Sequence, residues 1–197
     1  MNRMATVLVG CLVVAGLARA GVPETSKGFA FATYKESLGP ITILVGSYPA
    51  GFDQGDDLVP LQIAIGIRGE DAKLTITPES FTLIDPDGKS YPMASYSELV
   101  HHDRLMRFTE RIDRAQPLVL GEQFANSTRI QSRFFPSLSE QIRISRVHLD
   151  RTTYLQDLLY FKRPALGLDG VLTLRFQAEG MSEAIEVRFE VPLKEAN

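Results

Sequence analysis

The chain has 197 residues, with 21 Lys and Arg against 24 Asp and Glu, a formal charge of −3, one Cys and no Trp. A mildly acidic chain lacks the basic footprint that general nucleic-acid binding needs, so no nucleic-acid partner is expected. The one cysteine, Cys11, lies in the N-terminal apolar run, so the rest of the chain offers no disulfide, thiol nucleophile or thiolate metal site.

Arg3 precedes a short apolar run, Met4 to Leu17, and Ala18-Arg19-Ala20 supplies the small-x-small pattern of a cleavage site. Residues 1–20 are therefore expected to be a cleaved secretory signal peptide, with Gly21 opening the exported chain. That places the protein in the periplasm or outside the cell. The run is shorter than the roughly 20 residues a spanning helix needs, so no transmembrane span is expected. Leu8-Val9-Gly10-Cys11 resembles a lipid-attachment signal, but the apolar run continues past Cys11, where a cleavable core would already have ended. Residues 21–197 have the size of one domain, large enough to bury a core unaided.

The first strand signal is "ITILVG" from Ile41. In "LVPLQIAIGIRG", Leu61, Ile63, Ile65 and Ile67 alternate with Gln62, Ala64, Gly66 and Arg68, which predicts a strand with one buried face. "KLTIT", "SFTLID" and "KSYPM" follow as short strands punctuated by Pro and Gly. Asp85-Pro86-Asp87-Gly88 stands between the last two. An EF-hand calcium loop would need glycine sixth and glutamate twelfth; here Gly88 is fourth and Tyr96 twelfth. The stretch reads instead as a turn, with Pro fixing its own φ and Gly supplying a positive one.

The pattern then changes. Ser95 and Glu98 have the spacing of a capping box. Leu105, Phe108, Ile112 and Ala115 recur at helical spacing, and Arg104, Arg107, Arg111 and Arg114 form a second stripe beside them. A helix is predicted from about Tyr96 to Arg114, ending before Pro117. From Gln116 to Glu140 the pattern is ambiguous. Strands resume at "IRISRVHL"; "YLQDLLYFKRP" reads as a helical turn or a strand, and "GVLTLRFQA" with "AIEVRFEVPL" reads as a terminal hairpin.

Candidate chemistry is sparse. His101 and His102 are adjacent and would point about 100° apart on a helix, so a metal site would need one of them with Glu98 and a distant ligand such as His148. His101 falls on the apolar stripe, where a hydrogen-bonded core histidine is the usual case. His148 and Asp150 would share one side of a strand, which is the whole of the hydrolase signal. Ser47 follows a glycine without the other features of a nucleophile elbow. Asn126-Ser127-Thr128 is a glycosylation sequon.

Charge is uneven: from His101 to Arg151 there are nine arginines, no lysine and six acids. The arginine stripe reads first as a solvated face, with Asp103–Arg107 and Glu110–Arg114 as i,i+4 pairs in the favourable order. As a functional surface, Arg104, Arg107, Arg111 and Arg114 would contact a partner through their planar forks, and Arg129, Arg133, Arg143 and Arg146 would extend the patch.

Taken together, "VPLQIAI", "LTITPESFTLIDPDGKSYP", "YLQDLLYFKRP" and "LTLRFQAEG…IEVRFEV" resemble uncharacterised bacterial secreted proteins with an immunoglobulin-like β-sandwich. The resemblance implies a fold and a bacterial envelope setting and supplies no catalytic residues. The expectation is an all-β, immunoglobulin-like antiparallel β-sandwich with a helical insertion over about residues 95–140. Its expected function is that of a non-enzymatic exported binding or structural protein of the envelope, with no cofactor, no metal and a protein or envelope partner. A metal or small-ligand carrier is the alternative, and a hydrolase comes last.

Overall fold

The computed structural model describes residues 25–26, 28–36, 39–52, 56–118, 120–121, 124–130, 133–135, 144–165 and 167–192. The expected signal segment lies outside them. In chain order the strands are β1 (Thr25–Ser26), β2 (Phe29–Glu36), β3 (Gly39–Gly46), β4 (Leu58–Ile67), β5 (Lys73–Ile76), β6 (Phe81–Ile84) and β7 (Ser90–Pro92). Two helices follow, α1 (Tyr96–Leu99) and α2 (Asp103–Ala115). The remaining strands are β8 (Thr128–Ile130), β9 (Val147–Asp150), β10 (Thr153–Lys162), β11 (Val171–Phe176) and β12 (Ile185–Glu190). The described chain is thus mostly β, in three sheets with few helices.

The larger sheet has the order β1-β2-β3-β4-β10-β8, and a second has the order β12-β11-β6-β7. All pairs within them are antiparallel except β8 with β10, which is parallel. β5 and β9 form a two-stranded sheet. The second sheet lies across one face of the first, with β12 against β2 and β3, and β7 against β10. The register places Ile43, Ile65 and Leu155 side by side, and likewise Val59 beside Phe161. These odd-numbered residues share one core with Leu83, Leu174, Phe176 and Val187 of the facing sheet. Both margins are stitched. Ala94 N–H donates to the Tyr160 carbonyl (2.8 Å) at one, and at the other the fully buried Ser47 hydroxyl donates to the Glu190 carbonyl (2.7 Å).

The outer strands carry the expected alternation, buried then exposed along all of β12. The expectation of one buried face for Leu58–Ile67 fails: every residue of β4 but Gly66 is buried, and β10 is buried throughout except at its two ends. The second face, holding Leu44, Ala64 and Tyr154, packs against Leu118 and Phe124 in a separate cluster. Small residues let this cover come close. A Cβ on Gly66 would stand 2.8 Å from the Phe124 ring, and one on Gly46 would stand 2.8 Å from Leu118 Cδ2. A strand glycine thus marks a close approach.

Two expectations for the cover are corrected. The single helix from Tyr96 to Arg114 is two helices broken at Val100–His102. The insertion is not helical throughout: after Pro117 it returns over the sheet and adds β8 beside β10. "YLQDLLYFKRP" is a strand, not a helical turn. Of the strand expected from Ile142, only Val147–Asp150 is one, and Ile142 and Arg143 lie outside the described residues.

The Phe124 ring is fixed between Gly66 and Tyr154, its centroid 5.2 Å from the tyrosine's. Gly66→Val should therefore lower stability by about 1–3 kcal/mol, the usual cost of overpacking. Chemical denaturation reads this directly, and an unchanged midpoint would show that the cover is loosely seated.

Candidate functional site

The site begins with the seating of α2. Ser95 caps α1: its Oγ accepts from Glu98 N–H (3.2 Å), while Glu98 Oε2 accepts from Ser95 N–H (2.8 Å). Glu98 also pairs with Lys162 Nζ at 2.8 Å, which ties the start of the helical segment to the end of β10. The Lys162 contact, followed by the Ser95 bonds, holds the Glu98 carboxyl down at about 2.

α2 then lies on the outer face of β4 and β10. Its buried residues are Leu105, Met106, Thr109 and Ile112, whereas Phe108 is half-buried and Ala115 exposed. The expected stripe of Leu105, Phe108, Ile112 and Ala115 is thus rotated toward Met106 and Thr109. Hydrogen bonding explains the rotation. Thr109 Oγ1 donates to the Leu105 carbonyl (2.9 Å), and the Tyr160 hydroxyl donates to Thr109 Oγ1 (2.7 Å). Burial pushes the Tyr160 phenol well above its ordinary range, so it keeps this proton. One turn on, Gln62 Nε2 donates to Asp113 Oδ1 (2.8 Å) and to the Gln116 carbonyl (2.9 Å). Phe108 meets Phe52 edge-on at 5.6 Å.

This seating turns Arg104, Arg107, Arg111 and Arg114 to the side away from the sheet, and all four are exposed. At 100° and 1.5 Å per residue they fall within an arc of about 80° and along about 15 Å of the axis. Arg114 pairs with Glu110 at 3.4 Å, as the spacing predicts. The Asp103–Arg107 pair does not form, and among the described residues Arg104, Arg107 and Arg111 have no ion pair. Of the extended patch, Arg129 and Arg146 are exposed and Arg133 is half-buried, while Arg143 lies outside the described residues.

The other candidates are dispersed. His101 is exposed rather than in the core. His102 Nδ1 lies 3.4 Å from Asp56 Oδ1, and His148 Nδ1 lies 3.2 Å from Thr75 Oγ1 on the β5–β9 pair. Among the described residues no three His, Cys, Asp or Glu side chains come together to hold a metal ion. Asp150 is spent on a turn, where its Oδ1 accepts from Thr152 N–H (2.8 Å) and from the Thr152 hydroxyl (2.7 Å). No hydrogen bond joins it to His148 among the described residues. Asn126 is exposed. No helix of the described residues is long and apolar enough to cross a membrane.

Asp85-Pro86-Asp87-Gly88 is a turn. Gly88 N–H donates to the Asp85 carbonyl (3.0 Å), and Gly88 has φ of 84°. Asp85 is buried, and burial alone would raise its carboxyl. The Lys89 N–H, the Tyr91 hydroxyl and the Asp87 N–H donate to it at 2.8, 2.9 and 3.0 Å and together hold it below its ordinary range.

The residue that sequence reading missed is Asp157. The register puts it on the inner face of β10, opposite Ile63, and it is buried. Its Oδ2 accepts from Phe134 N–H (2.9 Å) and its Oδ1 from Leu158 N–H (2.8 Å). Burial pushes its carboxyl up to about 7 despite these bonds and the nearby Arg133 and Arg129.

No family model, no curated protein and no solved structure matches this chain.

Thr109→Val leaves the buried Tyr160 hydroxyl unsatisfied, and Tyr160→Phe removes the bond while the Thr109 hydroxyl still donates to the Leu105 carbonyl. Thr109→Val or Tyr160→Phe should each cost about 1–2 kcal/mol, and the double variant should cost less than the sum. Additive losses in a denaturation cycle would place the bond outside the helix's anchorage. The Glu98 carboxyl is depressed in the fold, so its contribution is present above its ordinary value of 4.5 and is lost as pH falls toward 2. Glu98→Gln should flatten that acid-side loss of thermal stability; an unchanged pH profile would show that the cap and the Lys162 pair contribute nothing.

Proposed function

We propose that the chain is a non-enzymatic, exported binding protein of the bacterial envelope that engages an anionic partner through the outer face of α2. We read its two facing sheets as an immunoglobulin-like sandwich and α2 with its flanking chain as the presenting insertion. One observation carries the reading: four exposed arginines on a helix whose opposite face is fixed by buried hydrogen bonds to the sheet. A guanidinium presents a planar fork of donors that matches a carboxylate or phosphate in two parallel bonds. Presented on an anchored helix, such forks lose little further freedom on binding. The exposed side of α2 carries no large apolar residue, so this surface is suited to polar, charge-led contact rather than to insertion among lipid chains.

The test is capture of envelope components by the wild-type protein, by Arg107→Glu/Arg111→Glu, and by Arg175→Glu, an exposed position on β11. The double variant should lose about tenfold or more in affinity, as reversal of two contact charges does. Arg175→Glu should bind as wild type, and wild-type capture should weaken with added salt. Equal capture by all three proteins would overturn the surface assignment.

A further inference from the structure

β10 has an unusual outer edge. Thr128 N–H donates to the Thr152 carbonyl (2.6 Å) at its beginning, and Ala94 N–H donates to the Tyr160 carbonyl (2.8 Å) near its end. Even-numbered residues here turn their backbone groups outward. Between β8, paired as far as Leu155, and the bridge of Met93 to Phe161, no strand is paired to this edge among the described residues. An open edge with bare N–H groups invites foreign pairing. Here the gap is closed by a side chain and a plug. Asp157 turns one oxygen to the Leu158 N–H and the other to the Phe134 N–H. The plug, Arg133–Phe135, straddles the edge: the Phe134 ring meets Phe81 of the facing sheet at 6.3 Å, and the Phe135 ring meets Tyr160 at 5.6 Å. Both rings are buried.

We propose that Asp157 is a proton-operated latch on this plug, holding it against the edge of β10 when the carboxyl carries its proton and loosening it when the proton is lost. A protonated carboxyl keeps acceptor capacity for both amides and carries no charge into the core. An ionised one must be stabilised where burial has removed water. Among the described residues, the charged groups acting on it are Arg129 of β8 and Arg133 of the plug. The inward faces of β4, β6, β9 and β11 present only apolar side chains, among them Ile63, Phe81, Leu149 and Phe176. Tyr91 of β7 gives its hydroxyl to Asp85, and Tyr160 gives its own to Thr109. Burial prevails over the two amide bonds and the two arginines, so the closed state holds a proton up to about pH 7 that a water-exposed Asp157 would release near 3.8. The sign follows: opening becomes easier as pH rises between these values and levels off above the upper one.

The test is amide hydrogen exchange in the full chain, with each rate divided by its intrinsic rate. Protection of the Phe134 amide should fall on the order of tenfold to a hundredfold from about pH 5 to about pH 8. Asp157→Asn should abolish that dependence, and protection in β12 should not follow it. A flat wild-type profile, or a parallel fall in Asp157→Asn, would overturn the latch. Should the variant fail to fold, the carboxyl carbon-13 shift of Asp157 in the wild-type protein decides. A midpoint above pH 6 supports the latch, and titration alongside exposed carboxylates overturns it.

Discussion

The constraint on which this structure rests is that β4 and β10, adjacent at the middle of the larger sheet, are buried on both faces. An antiparallel sheet commonly leaves one face to water. Here the inner face meets the second sheet, and the outer face presents Leu44, Ala64, Leu158 and Tyr160, which need a second cover. The chain from Tyr96 to Phe135 supplies it, as helix, return and plug. Seen this way, the covering segment is not an ornament on finished sheets. It completes the burial of the two central strands, and Gly46 and Gly66 stand where Leu118 and Phe124 of that cover come closest.

How the cover is held differs from how the two sheets are held to each other. Between the sheets the contact is almost wholly apolar. Between sheet and cover, Tyr160 and Gln62 donate to Thr109 and Asp113, and Asp157 accepts from the Phe134 N–H, each bond reaching a specific group on the incoming chain. Each bond contributes only about 0.5–1.5 kcal/mol net, but leaving one unmade costs more. Apolar packing alone would tolerate α2 in several rotations. The polar bonds admit the rotation that buries Thr109 and turns Asp113 toward Gln62. That is why the helix departs from the apolar stripe its sequence displays.

This also marks what the sequence could and could not disclose. Strands with one wet face, β11 and β12, are legible because alternation writes both faces into the residues. The Asp85–Gly88 turn and the Ser95–Glu98 cap are legible because each is complete within five residues. The second buried face of β4 was hidden, since Gln62, Ala64 and Gly66 look like solvent positions until a covering segment is known. Asp157 was hidden for the opposite reason: a lone acid in an apolar run gives no sign of the two amides that meet it, one of them 23 residues away in the chain. The arginine stripe was visible as a period, but its exposure and want of partners depend on where α2 sits.

That position sharpens the case for α2 as a surface of use. Folding accounts for Leu105, Met106, Thr109 and Asp113, each of which touches the sheet or its core, and for Ile112, which is buried. It does not account for the arginines. Arg104–Arg107, Arg107–Arg111 and Arg111–Arg114 are like-charge neighbours three or four residues apart, each costing a helix about 0.2–0.5 kcal/mol. Among the described residues, Arg114 alone of the four has an ion pair, with Glu110. Glu and Lys alternating at these spacings would serve the helix better, and a solvated face requires no arginine in place of lysine. A residue choice that works against its own helix, on an exposed face, is support for the proposal that this surface is fitted to an external anion.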